Sequence, residues 1–514
     1  MTRLVVGDID ALRASSTLPH TETPGISSEP FKSALSKAKC PSKRLDHHFS
    51  SESREFAGSA LRKATALNGS RKVIALGAGR PMAEYFPWES LTFEGSLPTA
   101  HGTLAVQAVR KQEGSYDVET ALNYGNSVGS PQLVRYITEH VEIVHNPPYA
   151  DWSVCLSCGN TAAMETSFRI FGNRGDVILT EKYTFPGAIA AATLMGLHIE
   201  GVEMDADGLR PDHLDDLLSG WDKSRGPKPT VLYTIPTGQN PTGSTQSLER
   251  RKKVYQVADK HDLIIIEDDP YYFLRLGAYN PEEEEPSNES PDSLQDKWPV
   301  YPVPSYLSID QSGRVVRLDS ASKILAPGLR VGWITANDQV ISKYKSYHEV
   351  STVSVNGPTQ LMLCKLLDES WGHQGFFSWL NVLSRDYRSR RDIFLQACRR
   401  YLPKQITHWV VPQHGMFILI QVDWRTHPRL ADVSGLSSRQ VDDCLAEIET
   451  ALVSAALELG VQVTKGSLFT YNKRPNGELG FRLTFGAAPK SELEQGVKLF
   501  ADAVRREFLL SLEE

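Results

Sequence analysis

The 514-residue sequence predicts an α/β protein: a large domain with a mostly parallel sheet between helices, and a smaller α+β domain after it. From about residue 130 to 345, helical patterns alternate with short apolar runs, several without polar alternation, as in strands covered on both faces. After residue 346, long helical patterns precede two further strand-like runs. The predicted strands contain Val177–Leu179, Thr230–Ile235, Leu263–Ile266, Val315–Leu318, Val331–Ile334, Gly415–Ile420 and Gly480–Phe485.

The same patterns divide the chain into four parts. Residues 1–30, rich in Ser, Thr and Pro toward their end, are predicted to be a flexible N-terminal segment. Residues 31–110 are expected to pack on the small domain and to form a wall of the active site. Residues 111–345 form the large domain and 346–514 the small C-terminal domain. The acidic, proline-rich stretch 280–304 is predicted to be a solvated loop of unassigned role.

Charge and composition narrow the function classes. A net charge of −7 provides no basic surface for nucleic acid, and no apolar run of about 18 residues is present to cross a membrane. Six scattered cysteines and the lack of a convincing targeting signal favour a reducing compartment, the cytosol. Small-molecule substrates are therefore expected.

Two local patterns are interpreted as structural features and not as functional sites. Cys155-x-x-Cys158 has metal-ligand spacing but no second pair and no histidine at ligand spacing, so no metal is predicted. The arginine run Arg385–Arg391 is interpreted as a solvated helix face and not as a nucleic-acid patch, because the surrounding chain is acidic.

A lysine loop, Ser320-Ala321-Ser322-Lys323, follows one predicted strand and precedes Gly328-Leu329-Arg330. A lysine amine can condense with an aldehyde, and nearby hydroxyl and guanidinium groups can hold the phosphate of such a compound. Taken alone, the loop is equally compatible with solvated surface side chains.

Three more motifs, around Gly159, Asn240 and Asp268, contain residues suited to a bound ligand. Gly159-Asn160-Thr161 begins a helix, where free N–H groups suit a phosphate, although Asn160 or Thr161 could simply cap the helix. Tyr183 offers a ring to a cofactor, or to the core. The rigid stretch Tyr233–Gly243 aims the Asn240 amide at a ligand, with a plain turn as the alternative.

The third motif, Glu267-Asp268-Asp269-Pro270-Tyr271, ends the most apolar strand. A buried carboxylate requires a cationic or hydrogen-bonding partner. In the C-terminal domain, Arg482 has apolar neighbours and therefore requires an anion, either a substrate carboxylate or an internal salt bridge.

Together these motifs resemble the fold-type I aminotransferases that depend on pyridoxal 5′-phosphate (PLP), over about residues 70–510. The resemblance is nearest to the fungal aromatic amino acid and 2-aminoadipate aminotransferases, relatives of the kynurenine/2-aminoadipate enzymes. Its markers are Tyr85–Trp88, Asn173–Leu179, Tyr233–Gly243, Glu267–Phe273 and Lys323–Trp333.

The resemblance implies a role for each residue. Lys323 would form a Schiff base with PLP and shuttle the proton, Asp268 would bind the ring nitrogen, and Tyr271 and Asn240 the phenolic oxygen. Gly159, Asn160, Thr161, Ser320 and Arg330 would surround the phosphate, and Tyr183 would stack on the ring. Arg482 would bind the substrate α-carboxylate, with Asn240, Tyr183 and Arg80 as further substrate contacts. Tyr124 would reach the phosphate of the neighbouring subunit, which implies a homodimer with shared sites.

The predicted reaction is transfer of an amino group between an aromatic amino acid, or 2-aminoadipate, and a 2-oxo acid. A PLP-dependent lyase or decarboxylase is an alternative, because the same cofactor and lysine serve those reactions. A regulator with an aminotransferase-like domain is disfavoured, because residues 1–110 lack the basic helices of a DNA-binding module. Such enzymes often have an arginine on an N-terminal segment that closes over the substrate. Arg44 is the only candidate for it in this sequence, and the role of Arg44 stays open.

Overall fold

The structure, a computed structural model, describes residues 3–16, 18, 26–61, 79–94, 107–281, 303–430, 432–472 and 477–511. Its helices are α1 Ile9–Ala14, α2 Ala34–Lys37, α3 Ser51–Glu55, α4 Val118–Leu122, α5 Pro131–Val144, α6 Asn160–Phe171, α7 Pro186–Leu194, α8 Pro211–Ser219, α9 Leu248–Lys260, α10 Tyr306–Ile309, α11 Asp338–Val350, α12 Gly357–Leu363, α13 Gly372–Tyr401, α14 Ser438–Glu458 and α15 Lys490–Glu507.

Its strands are β1 Ser90–Phe93, β2 Gln107–Arg110, β3 Trp152–Ser157, β4 Val177–Glu181, β5 His198–Val202, β6 Met204–Asp205, β7 Gly208–Leu209, β8 Val231–Thr234, β9 Ile264–Asp268, β10 Val315–Ser320, β11 Gly332–Asn337, β12 Thr407–His408, β13 Phe417–Val422, β14 Thr464–Lys465 and β15 Leu479–Thr484. A π-helical segment, Cys364–Trp371, joins α12 to α13.

The large domain contains a seven-stranded sheet in the order β3-β11-β10-β9-β8-β4-β5. The strands from β10 to β5 pair in parallel, and β11 runs antiparallel to both of its neighbours. β9 is buried along its whole length, as its run of three isoleucines predicts. The predicted mostly parallel sheet between helices is confirmed. The carboxyl ends of β8, β9 and β10 therefore meet at one edge.

The small domain contains a second, antiparallel sheet in the order β12-β13-β15-β14. Helices α14 and α15 and the end of α13 cover it and share one apolar core with it. This arrangement agrees with the α+β architecture expected after the large domain.

The division between the two domains lies later in the chain than predicted. Phe376, Phe377 and Leu380, early in α13, belong to the core of the large domain, whereas Phe394 and Leu395 belong to that of the small domain. The 30-residue helix α13 thus crosses from one core to the other. Its apolar periodicity is continuous, so the sequence could not show where it changes core.

The N-terminal segment also differs from the prediction of a flexible stretch over residues 1–30. Leu4, Ile9 and Ile26 are buried in the large-domain core, and Ile9 is the first residue of helix α1. The spacing of Val5, Ile9 and Leu12 is that of an amphipathic helix, but the Ser-, Thr- and Pro-rich stretch that follows favoured a flexible segment. Residues 19–25 lie outside the described residues.

Residues 31–56 pack on the large domain, not on the small domain as expected. The backbone N–H of Ser50 donates to the Ile170 carbonyl at 2.8 Å, and Phe31, Leu45 and Phe49 enter the large-domain core. Most of the acidic stretch 280–304 and much of the predicted active-site wall between residues 62 and 106 lie outside the described residues.

The arginine run is only partly solvated. Arg391 is buried and donates to the carbonyls of Gly277 at 2.6 Å and Pro412 at 3.0 Å, so its assignment to a solvated face was wrong. Cys155 lies in β3, and all six cysteines are free thiols. Within the described residues, no helix is long and apolar enough to cross a membrane.

Candidate active site

The site is built around Asp268, at the carboxyl end of β9. Its carboxylate accepts hydrogen bonds from the Tyr233 hydroxyl at 2.6 Å and from the Asn160 side-chain amide at 2.8 Å. Burial raises the pKa of Asp268 to about 6, against the lowering effect of these two bonds. Tyr233 was not among the predicted site residues, because a tyrosine inside a buried strand has the sequence signature of a core residue.

The side chain of Asn160 contacts Asp268. We expected this residue beside a phosphate, which stays a prediction; its side-chain amide donates to Asp268 and to the Leu318 carbonyl at 3.0 Å. It is the first residue of α6, and its side chain turns toward β9 and β10. Its Oδ1 is buried without a hydrogen-bond partner among the described residues, so one acceptor remains available.

Gly159 and Arg330 are in close contact beside the start of α6. Gly159 has φ +87°, a backbone conformation that favours glycine, and a Cβ atom there would lie 2.6 Å from Arg330 Nη2. Arg330 donates to the carbonyls of Cys158 and Pro327, each at 3.1 Å. Thr161 is exposed next to them. This end of α6 thus presents N–H groups, a positive dipole end and a guanidinium together.

Lys323 lies in the turn after β10, and Ser320 ends that strand. The Ser320 hydroxyl accepts from the backbone N–H of Ser322 at 3.1 Å, which fixes the turn. Burial lowers the pKa of Lys323, and the charges of Arg482 and Arg330 lower it further. In the described part of the chain, the ammonium group has no hydrogen-bond or ion-pair partner.

Arg482, on β15, brings the small domain to the site. Its guanidinium lies between two aromatic rings, 4.5 Å from the centroid of Phe417 and 4.8 Å from that of Phe469. It donates to Asn240 Oδ1 at 3.1 Å. Burial lowers its pKa. No carboxylate of the described residues pairs with Arg482, so the internal salt bridge considered above is not formed there.

Asn240 joins the loop after β8 to the opposite domain. It is buried, and its side chain also hydrogen-bonds to Tyr271, whose pKa is raised mainly by burial. The loop approaches the small domain at Gly238, where a Cβ atom would lie 2.8 Å from the Cα atom of Gly415. Glycine at both positions allows this close contact.

The hydroxyl of Tyr183 has a hydrogen-bond partner within the protein. It donates a short hydrogen bond to Glu478, which also pairs with Lys182 at 2.9 Å. The sequence analysis missed Glu478, because it lies nearly 300 residues from Tyr183 and no local motif surrounds it. Tyr183 is buried, and it packs with Leu419 and Phe469.

Glu267 and Asp269 point away from Asp268. Both pair with the buried Arg317, at 3.1 Å and 3.0 Å, and Glu267 also lies 3.4 Å from the buried Arg251. This ion-pair network supports the floor of the site and leaves Asp268 as the acid that faces it.

Tyr124 and Arg80 are two exposed residues of the predicted site. Tyr124 is 68% exposed, and Arg80 is also exposed. The structure brings together Asp268, Asn160, Gly159, Ser320, Lys323, Arg330, Tyr271, Asn240, Arg482 and Tyr183, and the roles of Tyr124 and Arg80 stay predictions.

Fold and site together define an aminotransferase-type α/β enzyme. The crystal structure of aminotransferase Aro8 from Candida albicans superposes with a TM-score of 0.83 and 34% identity, over 92% of this chain and 100% of that one. Aminotransferase swnA of Arthroderma benhamiae is 42% identical, over 92% of this chain and 94% of its own length. An aromatic amino acid aminotransferase of Schizosaccharomyces pombe is 37% identical, over 91% of this chain and 98% of its own length.

The chain belongs to the aminotransferase class I and II family, whose model matches residues 94–500. The enzyme class expected from the sequence, an aminotransferase, is thereby confirmed, and the alternative lyase or decarboxylase chemistry is not favoured.

Proposed function

We propose that this enzyme uses PLP to move an amino group between an aromatic amino acid, or 2-aminoadipate, and a 2-oxo acid. One observation carries the proposal. Lys323, Arg330 and Arg482 lie close enough for the two arginines to lower the pKa of the lysine, yet none of the three pairs with a carboxylate of the described residues. Such a concentration of cations requires anionic ligands, and a phosphate plus a carboxylate would supply them.

The residues present fit PLP. Arg330, Ser320 and the start of α6 with Gly159 and Thr161 would hold the phosphate, and Asn160 would act through Asp268. Asp268 would hold a protonated ring nitrogen, since a pKa of about 6 leaves the carboxylate mostly ionised at neutral pH. Tyr271 and Asn240 would hold the phenolic oxygen, and Tyr183 would contact the ring.

PLP, when bound, supplies an aldehyde that reacts with amines and a ring that withdraws electrons. Burial keeps a larger fraction of Lys323 as the neutral amine, the form that acts as nucleophile and as base. Lys323 Nζ would take the proton from the substrate Cα and deliver it to the C4′ carbon of the cofactor. Asp268, held by Tyr233 and Asn160, would keep the ring nitrogen charged during that transfer.

Arg482 would bind the α-carboxylate that all of these substrates share, because its planar fork matches a carboxylate. The rings of Phe417 and Phe469 provide apolar surface beside it, which suits an aromatic side chain. The Schizosaccharomyces pombe relative, named for aromatic amino acids, supports the same substrate class. Arg80 is a further candidate for substrate contact from the N-terminal part.

We also propose a homodimer in which Tyr124 reaches the site of the partner subunit. Its 68% exposure is consistent with a side chain that acts outside its own chain. A cytoplasmic location is supported by six thiols that are all free.

Borohydride reduction followed by peptide mass analysis tests the proposal. The pyridoxyl phosphate mass should appear on the peptide that contains Lys323 and on no peptide of Lys323→Ala. Adding phenylalanine should convert bound PLP to pyridoxamine phosphate with release of one oxo acid per site. Release of carbon dioxide or of an elimination product instead would reject transamination.

A further inference from the structure

Three metal-ligand side chains meet where the N-terminal segment crosses the large domain. His47 and His48 belong to the 3-10 turn Asp46–His48, and Asp262 lies between α9 and β9. His47 Nε2 is 2.8 Å and His48 Nε2 is 3.2 Å from the same oxygen, Asp262 Oδ2. One ligand atom from each residue thus lies within 4.8 Å of the other two.

His48 is the buried member of this cluster. Its side chain is 2% exposed, and its ring nitrogens make no well-formed hydrogen bond among the described residues, since Nε2 has only the 3.2 Å contact with Asp262 Oδ2. A buried imidazole without a hydrogen bond is costly. A cation bound to Nε2 would satisfy the buried lone pair.

We propose that His47, His48 and Asp262 bind a divalent first-row transition metal of the Zn²⁺ type. Two imidazole nitrogens and one carboxylate oxygen suit such ions, whereas Mg²⁺ and Ca²⁺ favour oxygen ligands. Metal–ligand bonds of about 2.0–2.1 Å place tetrahedral ligands about 3.4 Å apart. The contacts of 2.8 and 3.2 Å require only a small opening of His47 and Asp262, which are exposed.

The surroundings of Asp262 allow this role. Arg314 Nη1 lies 3.3 Å from Oδ1 and leaves Oδ2 for a metal, so it orients the carboxylate. Arg314 Nη2 pairs with Asp259 at 2.7 Å, which offsets the guanidinium charge near the site. With His47 and Asp262 more than half exposed, a fourth position is open to water.

The metal would pin the N-terminal segment to the large domain. Asp262 precedes β9 at its amino end, and Asp268 lies at the other end of that strand, so the metal would not touch the candidate active site. An ion that binds only the folded state stabilises it by mass action. The site is independent of the proposed transamination and adds to it a structural metal, which the sequence analysis did not predict.

Calorimetric titration of the untagged, chelator-treated holoenzyme with ZnCl₂ tests the proposal. The wild type should bind one ion, and affinity at that site should fall at least about tenfold in His47→Ala and in Asp262→Asn. The control, His408→Ala in the small domain, should keep it. Saturating Zn²⁺ should raise the melting temperature of wild type and control by about 2–4 °C.

Both ligand positions are exposed, and asparagine tolerates the left-handed backbone of Asp262, φ +53°, so these variants should fold. Their melting temperatures without metal verify this. Absence of a site in the wild type would overturn the proposal. The proposal would also be overturned if both ligand variants bound Zn²⁺, and were stabilised by it, as strongly as the wild type.

Discussion

Tyr233 donates its hydroxyl to Asp268 Oδ2 at 2.6 Å from the adjacent parallel strand, and both residues are buried. Tyr233 pairs in register with Ile266 on that strand, and Asp268 lies two residues further along it. The tyrosine side chain therefore spans only this short distance to the carboxylate. The bond stabilises the charged carboxylate and lowers its pKa against the effect of burial.

Tyr233→Phe should therefore raise the pKa of Asp268 and move the acidic limb of the kcat/KM profile to higher pH. Hydrogen bonds to charged groups contribute about 1.5–3 kcal/mol, so kcat/KM at neutral pH should fall about 10- to 100-fold. The control Tyr344→Phe removes a buried hydroxyl that donates to Ala163, away from the site. An unchanged pH profile in Tyr233→Phe would contradict the role of this bond.

Arg482→Ala should weaken all amino donors and all oxo-acid acceptors together, because the carboxylate is common to them. The expected loss in kcat/KM is about 10- to more than 100-fold for each substrate. Arg482→Lys should recover little, since an ammonium lacks the fork held between Phe417 and Phe469. A panel of aromatic and acidic substrates measures this. Loss of acidic substrates alone would make Arg482 a contact for the substrate side chain.

Glu181 should make stability depend on pH. It lies in β4, and burial raises its pKa from 4.5 to about 7, partly opposed by hydrogen bonds from Thr234 and the Ile235 N–H. Because the folded state holds the proton more tightly, stability falls as pH rises from about 4.5 to 7, by about 3 kcal/mol from this group.

Glu181→Gln removes that titration, so its melting temperature relative to wild type should increase over the same pH interval. Thermal melts at several pH values measure the difference. The exposed Glu458 is a matched control, and Glu458→Gln should follow the wild-type curve. A constant difference between Glu181→Gln and wild type would refute the prediction.

Arg13→Ala should destabilise the fold, although Arg13 lies in the segment that the sequence predicts to be flexible. Its Nη2 lies 2.6 Å from both Glu139 Oε2 and Asp368 Oδ1, whose side chains are 1% and 5% exposed. Its removal leaves two buried carboxylates with less compensation. The free energy of unfolding should fall by about 2–3 kcal/mol, which is less than for a fully buried ion pair because the Arg13 side chain is 24% exposed. Urea unfolding measures it, with the exposed Arg54→Ala as control. Equal stability of both variants would show that α1 is not docked in solution.

The central sheet and the residues that follow its strands can be predicted from the sequence alone. Apolar runs such as Ile264–Ile266 are visible without any partner, because burial on both faces leaves a local pattern. Asp268, Lys323 and Asn240 follow such runs in order, so their convergence at one edge follows from strand direction alone.

The side chains that support these residues could be identified only in three dimensions. The bonds Tyr233–Asp268 and Tyr183–Glu478, the buried Arg391 and the His47–His48–Asp262 cluster all join residues distant in sequence or isolated in polar stretches. The docking of α1 and the change of core along α13 are of the same kind. A hydrogen bond or an ion pair depends on distance and angle between two side chains, and a local pattern of polarity contains neither quantity.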